Sequence, residues 1–467
     1  MSGTLPGFRA RLATALTGAP ETPLLFLGNF EVEQQWAEGE HTLPRLSAAT
    51  AGAVVNHMDE FALFLGGAGD HVVLKTRPDD DYLAFLAGLG VDLPRIHVPG
   101  RQDPQRTVTE DALDDPALLA ALSALSAQGC QVTAHGISTD ERRFTEAAGL
   151  PLAGPGPDVC KAVNSKVYSR RVADELGLRQ PRGWACDTLD GLAAAFAAAT
   201  DDSGTRYVVK EAFGVSGKGI AVLESRRRAD RILGMVRKQA DRSGNGSVAF
   251  VVEEWVAKET DLNYQFTVGR DGSVRFDFVK EQLTEGGVHK GHRMPARLTA
   301  AQRDAVRDAA ERLGKRLAAD GYFGVVGVDA MVDPDGGLYP VVEINARHNM
   351  STYQVGLEER FVRDGRIAVA RHYPLRLAAP LPFAETRDLL DGLLFDADRG
   401  TGLLVNNHAT VNAAFAESFP GGPAESPAAP TVDGRLYGVL VEESDARIGT
   451  LDTEIAARLA ARKDNAA

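Results

Sequence analysis

Three polar side chains alternate with apolar ones in the stretch YPVVEINARHNMST, residues 339 to 352: Glu343, Asn345 and Arg347. In an extended strand, successive side chains point to opposite faces, so these three would share one face. A carboxylate, an amide and a guanidinium in a row suit a site that binds a metal and an anion. They also suit a solvated sheet face, so the neighbouring sequence has to decide.

The segment just upstream predicts a β-hairpin, because two apolar runs flank the turn DPDGG. Pairing Asp333 with Tyr339 across the turn places Asp329 directly opposite Glu343, with Cβ atoms about 5 Å apart. Two carboxylates so placed repel each other, so we expect a positive group between them. Asp329, Glu343 and Asn345 are the hard oxygen ligands that Mg²⁺ prefers beside phosphate. On geometry alone, an exposed hairpin face explains the pattern equally well.

A second segment could bind phosphate. In YVVKEAFGVSGKGIAVLE, residues 207 to 224, two strand-like runs flank a loop of small residues. Glycines let backbone N–H groups approach an anion, while Lys210 and Lys218 supply positive charge. The loop is not a Walker A motif, because no Gly-Lys-Ser or Gly-Lys-Thr precedes a helix. Taken alone, a glycine hairpin with solvated lysines explains this pattern more often than a phosphate site does.

The next strand-like run, VAFVVEEWV, ends in Glu253, Glu254 and Trp255. Such a strand end can present backbone groups to an adenine edge, and Asp261 just beyond it could hold ribose hydroxyls. A strand that leaves the core through acidic residues is an equally common explanation.

The loop-like segment EGGVHKGHRMP, residues 285 to 295, carries four cationic or titratable side chains between glycines. They are His289, Lys290, His292 and Arg293. The segment suits a mobile lid that meets phosphate or a substrate carboxylate, with a solvated surface loop as the alternative. Metal binding by the two histidines is disfavoured, since no soft ligands lie nearby in the sequence.

The whole chain has the composition of an ordinary soluble protein, with 467 residues, 44% hydrophobic and 25% charged. This length suits two to four domains. The sequence has no apolar run long enough to span a membrane and no apolar secretion signal at its start, so we expect a cytoplasmic protein. Its net charge of -13 argues against nucleic acid as a partner.

The elements that would position these residues are visible in outline. PLLFLGN and HVVLKT read as short buried strands of an open parallel sheet over residues 20 to 150. The segments GNFEVEQQW and NHMDEF follow these strands and could touch substrate, although stabilising turns explain them as well. TAAQRDAVRDAAERLGKRLAADG predicts a helix capped by Thr299 and ended by Gly321. Residues 419 to 434 predict a long loop, followed by a strand and a helix that pack back onto the body.

The order of these parts resembles the ATP-grasp superfamily over residues 158 to 375, once Lys166 in NSKVYSRRVADELGL is included. The resemblance implies mixed α/β and α+β structure with an ATP-grasp fold. It divides the chain into an amino-terminal α/β pre-ATP-grasp domain, a central lid subdomain, a metal and substrate subdomain, and a carboxyl-terminal domain. The expected ranges are 1–157, 158–258, 259–375 and 376–467.

The resemblance also implies a set of site residues. It implies that Lys166 and Lys210 contact ATP and that the glycine loop closes over the phosphates, through Gly214, Ser216, Gly217, Lys218 and Gly219. Around the adenosine it implies Glu253, Glu254, Trp255, Val256 and Asp261. Two Mg²⁺ ions, with Mn²⁺ as a substitute, would be held by Asp329, Glu343 and Asn345. The expected catalytic cations are Arg347, Arg293 and Lys290.

Within the superfamily, the EINARHNMST ending and the flanking domains look most like peptide ligases of the pheganomycin type. They are less similar to ligases that load carboxylates onto acyl-carrier proteins. D-alanine ligases carry an arginine two residues before the metal aspartate, where this chain has Gly327, so Arg347 is expected to take over that role.

The resemblance implies an ATP-dependent ligase that activates a carboxylate as an acyl phosphate and joins it to an amine, giving ADP and phosphate. Its substrates would be a small carboxylate and an amine or peptide. Transfer to a carrier-protein thiol is the alternative. A complete set of metal ligands argues against a third possibility, a non-catalytic nucleotide-binding regulator. Self-association is left open.

Overall fold

The structure is a computed structural model that describes most of the chain. The described residues are 7–43, 52–201, 204–214, 219–285, 288–363, 365–418 and 431–462.

The amino-terminal part is built on a parallel sheet, as predicted, and this sheet has four strands. Its strands lie in the order β3-β2-β1-β4. The strands are β1 (Leu24–Leu27), β2 (His71–Val73), β3 (Arg95–His97) and β4 (Gln131–Ala134). The α-helices of this part are α1 (Phe8–Thr17), α2 (Val32–Trp36), α3 (Gly52–Asn56), α4 (Asp80–Gly88), α5 (Val108–Leu113), α6 (Pro116–Ser123) and α7 (Thr139–Ala148). Two 3-10 helices join them, His57–Phe64 and Ala124–Gln128.

The second part is a small antiparallel sheet covered by helices, which we name the lid. Its strand order is β5-β8-β6-β7. The strands are β5 (Gly183–Thr188), β6 (Tyr207–Glu211), β7 (Ile220–Leu223) and β8 (Ser247–Glu254). Before and between them lie α8 (Pro157–Val163), α9 (Lys166–Glu175), α10 (Leu189–Asp201) and α11 (Arg226–Ser243). The buried side chains of the lid form a separate hydrophobic cluster, to which the first part adds Leu43.

The third part is an antiparallel eight-stranded sheet in the order β13-β12-β9-β10-β11-β14-β16-β15. Its strands are β9 (Thr260–Val268), β10 (Val274–Glu285), β11 (Val288–Met294), β12 (Gly324–Val332), β13 (Leu338–Asn345), β14 (Ile367–Leu377), β15 (Gly402–Asn407) and β16 (Val432–Glu442). Its helices are α12 (Ala300–Ala319), the 3-10 helix Thr352–Gln354, α13 (Val355–Phe361), α14 (Phe383–Leu389), α15 (Ala409–Ser418) and α16 (Asp445–Ala461).

The predicted helix after residue 299 is confirmed. Thr299 caps α12 by accepting a hydrogen bond from the backbone N–H of Gln302, and Gly321 follows the helix with a positive φ of 85°. The helix buries one face against β9 and β10. The predicted carboxyl-terminal helix is α16, which packs on β14 and β16.

Three features differ from the sequence-based expectations. The expected domain boundary at 375 falls inside β14, and β15 and β16 extend the same sheet instead of forming a separate one. The loop expected at 419–434 ends earlier, since Val432 already begins β16, while 419–430 lie outside the described residues. The segment 285–295 was expected to be a mobile loop that meets phosphate or a substrate carboxylate. Its residues 288–294 instead form β11, which pairs with β10 along one edge and with β14 along the other.

No helix in the described part of the chain combines the length and apolar character needed to cross a membrane.

Candidate active site

The two carboxylates predicted to face each other do so. In the β12–β13 hairpin Asp329 pairs with Glu343, and Gly327 pairs with Asn345. The pairing expected nearer the turn is wrong, since Tyr339 lies opposite Met331 and the register shifts between the two pairs. The irregularity lies between the carboxylate pair and the turn, so the carboxylate pair keeps its predicted register.

Asp329 is surrounded by amide groups. Its carboxylate accepts hydrogen bonds from Asn263 Nδ2 at 3.0 Å, Gln282 Nε2 at 2.5 Å and Asn345 Nδ2 at 3.4 Å. Burial, and then the charge of Glu343, raise the pKa of Asp329 from 3.8 to about 6. This carboxylate is therefore costly to keep ionised, and a positive group beside it would favour its charged form.

A lysine lies beside one of the two carboxylates. Lys166 begins α9 and its Nζ lies 2.6 Å from Glu343 Oε1. The same Nζ donates to the backbone carbonyl of Gly214 at 2.9 Å. Lys166 thus joins the carboxylate strand to the first residue of the glycine loop.

The glycine loop lies between β6 and β7, which pair as an antiparallel hairpin with Lys210 opposite Ile220. Gly219 has a φ of +77°, and a side chain there would collide with that of Glu211. Gly214 is also described, whereas Ser216, Gly217 and Lys218 lie outside the described residues. The structure therefore positions both ends of the predicted phosphate loop.

The lid face carries a second lysine–carboxylate pair. Lys210 Nζ lies 2.5 Å from Glu253 Oε1, and Arg170 Nη1 lies 3.7 Å from the other oxygen of Glu253. Both side chains of the closer pair are largely buried. The pair places one of the predicted nucleotide cations beside a residue predicted to border the adenine.

The connection after β8 is open to solvent. Trp255 is 48% exposed, and the guanidinium of Arg206 lies 5.3 Å from its ring centroid. Glu254 ends β8, and Val256 follows the tryptophan with partial exposure. Asp261 pairs with Lys258 and accepts a hydrogen bond from Thr284 Oγ1 at 3.1 Å. An exposed aromatic face next to strand-end backbone groups leaves room for a planar base.

Arg347 makes a contact that sequence reasoning did not predict. Its Nε donates to Glu33 Oε1 at 2.6 Å, and its Nη2 donates to Asn345 Oδ1 at 3.0 Å. Glu33 lies in α2, just beyond the carboxyl end of β1, in the GNFEVEQQW segment that was expected to approach substrate. The amino-terminal part therefore reaches the carboxylate strand at Arg347.

Two buried histidines lie beside Arg347. His135, just past the end of β4, hydrogen-bonds through Nδ1 to the Tyr353 hydroxyl at 2.8 Å and stacks on Phe30 with ring centroids 4.2 Å apart. The backbone N–H of His348 donates to the His135 carbonyl at 2.9 Å. Burial, together with the charge of Arg347, lowers the pKa of His348 to about 4 and that of His135 well below its usual value. Both imidazoles are therefore neutral near pH 7 and leave the positive charge to Arg347.

The loop that carries Arg347 is tied to the sheet by a polar row on β9. Ser351 Oγ donates to Asn263 Oδ1 and Thr352 Oγ1 donates to Gln265 Oε1, both at 2.6 Å. This packing also explains Gly327, because a Cβ there would lie 2.0 Å from Asn349 Nδ2. An arginine at 327 would not fit, which is consistent with Arg347 as the cation of the site.

Arg293 lies away from the carboxylate pair, contrary to its predicted catalytic role. In the β10–β11 register Arg293 pairs with Glu281 and His292 pairs with Gln282, the residue that contacts Asp329. Because neighbours in a strand alternate, Arg293 points to the opposite face of the sheet. There it binds both carboxylate oxygens of Asp445 in α16, at 2.9 and 3.0 Å.

Lys290 lies in β11 with partial exposure, at the register shift next to Gly291. Its assignment as a catalytic cation stays a prediction.

The donor set suits magnesium. Across the described ranges, no three His, Cys, Asp or Glu side chains are grouped to hold a metal. Asp329, Glu343 and Asn345 offer two carboxylates and one amide oxygen, which leaves other positions for water and phosphate, as Mg²⁺ requires.

The comparisons with known proteins agree with this geometry. The family models of the Pre ATP-grasp domain and the ATP-grasp domain match residues 58–150 and 165–351, which together are more than half of the chain. The chain belongs to the ATP-grasp superfamily. The predicted superfamily and fold class are thereby confirmed.

Two curated relatives of this ATP-grasp protein are named as ligases of L-glutamate. Butirosin acyl-carrier protein–L-glutamate ligase of Niallia circulans is 24% identical over 322 residues, 69% of this chain and 71% of that enzyme. L-propargylglycine–L-glutamate ligase of Streptantibioticus cattleyicolor is 31% identical over 181 residues. The second match covers 35% of this chain and 37% of that enzyme.

Solved structures show the same fold at low sequence identity. Biotin carboxylase of Campylobacter jejuni, in an ATP complex, has a TM-score of 0.53 at 13% identity, over 91% of this chain and 88% of that chain. The ADP complex of N5-carboxyaminoimidazole ribonucleotide synthetase has a TM-score of 0.51 at 15% identity, over 93% and 96% of the two chains. These likenesses extend the ATP-grasp architecture over nearly the whole chain.

Proposed function

We propose that this ATP-grasp protein activates a carboxylate as an acyl phosphate with ATP and joins it to an amine, releasing ADP and phosphate. The observation that carries the proposal is the polar face of the β12–β13 hairpin. Asp329, Glu343 and Asn345 lie together there, and Arg347 follows them at the end of the same strand. Metal ligands followed by a cation match the path of a phosphoryl group from ATP to a carboxylate.

Asp329, Glu343 and Asn345 would hold two Mg²⁺ ions, with Mn²⁺ as a substitute, and the metal supplies charge neutralisation at the transferring phosphoryl group. Lys210 binds the phosphates from the lid side. Lys166 moves from Glu343 toward phosphate once that carboxylate is engaged. Gly214, Gly219 and the residues between them close over the phosphates.

The remaining proposed contacts lie around the adenosine and the substrate. Trp255, Val256 and the backbone of Glu254 border the adenine, and Asp261 the ribose. Arg347 orients the substrate carboxylate, which replaces Glu33 as its partner. Since Glu33 comes from the amino-terminal part, that part borders the substrate.

The names of both curated relatives include L-glutamate, so L-glutamate is the first substrate to test. The relative that covers most of this chain also has an acyl-carrier protein in its name. This observation favours a second candidate function, transfer to a carrier-protein thiol. In that step the thiol loses its proton, its sulfur forms a bond to the acyl carbon, and the bond from that carbon to phosphate oxygen breaks.

The test is ADP release from ATP and L-glutamate with hydroxylamine as the acceptor. We expect ADP, phosphate and a glutamyl hydroxamate, because an acyl phosphate is open to any small amine. Glu343→Gln should abolish the reaction, whereas Asp335→Asn, which changes an exposed carboxylate of the same hairpin, should leave it intact. AMP and pyrophosphate as products would contradict γ-phosphoryl transfer.

A further inference from the structure

The helix α11 carries a row of basic side chains along its exposed face. Arg227, Arg231, Lys238 and Arg242 are all exposed and follow one another at intervals of four, seven and four residues. At 3.6 residues per turn these positions fall within about 60° of one another. The buried side chains of α11 occupy the opposite face, against α10 and the lid sheet. We name these four residues the α11 stripe.

The α11 stripe pairs with no acidic side chain among the residues that the structure describes. In the described part of the chain, none of its four side chains forms an ion pair or a hydrogen bond. Basic side chains on another surface helix do form ion pairs. On α12, Arg312, Lys315 and Arg316 each pair with an acidic residue four positions away. The whole chain has more acidic residues, 64, than basic ones, 51. A helix face with four exposed basic side chains therefore differs in charge from the chain as a whole.

An exposed apolar side chain borders the stripe. Met235 is 37% exposed and is one of three large hydrophobic side chains with such exposure among the described residues. It lies one helical turn beyond Arg231 on the same side of α11. A flexible apolar anchor within a cationic rim suits a folded protein partner better than a phosphate backbone.

The carboxyl-terminal end of the stripe lies at the glycine-loop end of the lid. β6 pairs antiparallel with both β7 and β8, so β7 and β8 run in the same direction. α11 connects them and therefore runs back toward their starting ends. Its last turn, with Arg242, thus lies at the end of the lid where Gly219 closes the glycine loop. At this end Gln239 also exchanges two hydrogen bonds with the backbone of Thr42, from the amino-terminal part.

We propose that the α11 stripe docks an acidic carrier protein, which presents the acceptor group to the cleft from the glycine-loop end of the lid. This inference rests on the second candidate function. Charge complementarity identifies the partner, since a small acidic protein with an attached thiol arm brings the negative surface that this stripe lacks. Met235 packs against an apolar side chain at the centre of the contact.

The experiment measures binding of phosphopantetheinylated acyl-carrier proteins, the butirosin carrier among them, to the full-length protein. In Lys238→Glu/Arg242→Glu we expect the Kd to rise at least about tenfold, because two attractive charges become repulsive. The matched control is Arg101→Glu/Arg142→Glu, which reverses two exposed arginines of the amino-terminal part. The control should bind the carrier as the parent does, and the parent's binding should weaken as salt is raised.

Hydroxylamine-dependent ADP release separates docking from catalysis. All three proteins should release ADP from L-glutamate equally, because hydroxylamine needs no docking surface. If they do, but no carrier binds or the Lys238→Glu/Arg242→Glu protein binds the carrier as tightly as the parent, the docking proposal is overturned alone. Tighter binding of a DNA duplex than of any carrier through the same stripe would also overturn it. Loss of ADP release in the parent with every acceptor would refute the proposed function instead.

Discussion

Replacing Asp329 with asparagine should make the metal-free protein more stable and the nucleotide-bound protein less so. The pKa of Asp329 rises from 3.8 in an exposed carboxyl to about 6 in the fold. At 1.36 kcal/mol per pH unit, this rise corresponds to about 3 kcal/mol of free energy that opposes folding with Asp329 ionised. Because the side chain is partly exposed, we expect Asp329→Asn to recover about 1–3 kcal/mol.

The pH dependence gives the sign of the effect. The folded state holds the Asp329 proton more tightly than the unfolded state, so the stability gained from that proton is complete below about pH 4 and is lost as pH rises to about 6. The parent and Asp329→Asn should therefore unfold alike near pH 4. Near pH 8 the metal-free variant should be the more stable protein. Urea unfolding at the two pH values measures both differences.

Magnesium and ATP should reverse this order. A ligand at about 100 times its Kd stabilises a folded protein by about 2.7 kcal/mol. The Asp329→Asn variant lacks a carboxylate proposed to bind the metal, so it should gain less of this stabilisation than the parent. Asp335→Asn is the control, since it changes an exposed carboxylate in the same hairpin without facing Glu343. If Asp329→Asn destabilised the metal-free protein near pH 8, the carboxylate would be a structural hydrogen-bond acceptor and the metal assignment would lose its support.

Four further outcomes follow from the pairing of the site residues. Lys210→Ala should raise the Kd of ATP by about tenfold or more in calorimetry, because it removes a charge-assisted contact to phosphate, while unchanged affinity would remove Lys210 from the site. Arg347→Ala should lower kcat for hydroxamate formation with little change in ATP affinity, and equal losses in both would contradict its role at the carboxylate. Glu33→Gln should lower KM for the substrate carboxylate, since that carboxylate no longer competes for Arg347, and a raised KM would show that Glu33 binds substrate directly. Calorimetry with excess chelator should show little ATP binding, and tight metal-free binding would argue against a carboxylate-lined phosphate site.

Sequence was sufficient for the features that depend on neighbours in the chain. The opposition of Asp329 and Glu343 follows from one hairpin, and the positions of Lys210 and Gly219 follow from another. The polar row of β9 has the same alternation as β13, since Asp261 and Asn263 are separated by an apolar residue. Of these two residues, only Asp261 was predicted to belong to the site.

Contacts between distant parts of the chain could not be predicted in this way. Glu33 and Arg347 are separated by 314 positions, and nothing in either segment specifies the other. Arg293 was misassigned for a related reason. Its glycine-rich surroundings suggested a loop, but pairing with β10 and β14 makes the segment a strand, and the alternation of that strand turns Arg293 toward Asp445.

Three of the described cations expected to meet ATP or substrate pair with carboxylates in the fold. Lys166 is paired with Glu343, Lys210 with Glu253, and Arg347 with Glu33. A buried lysine or arginine without a partner would be costly, and each pair satisfies one such cation. Binding is then an exchange of partners, and an anion can take a lysine only if its carboxylate gains another positive charge. At Lys166 a metal held by Glu343 would supply that charge, so we expect phosphate binding to depend on magnesium. At Arg347 no metal ligand is involved beyond Asn345, so the substrate carboxylate must displace Glu33 by itself. Under the proposed function, the nucleotide half of the site would select for the metal complex of ATP, and the substrate half for a carboxylate that can replace a side chain of the amino-terminal part.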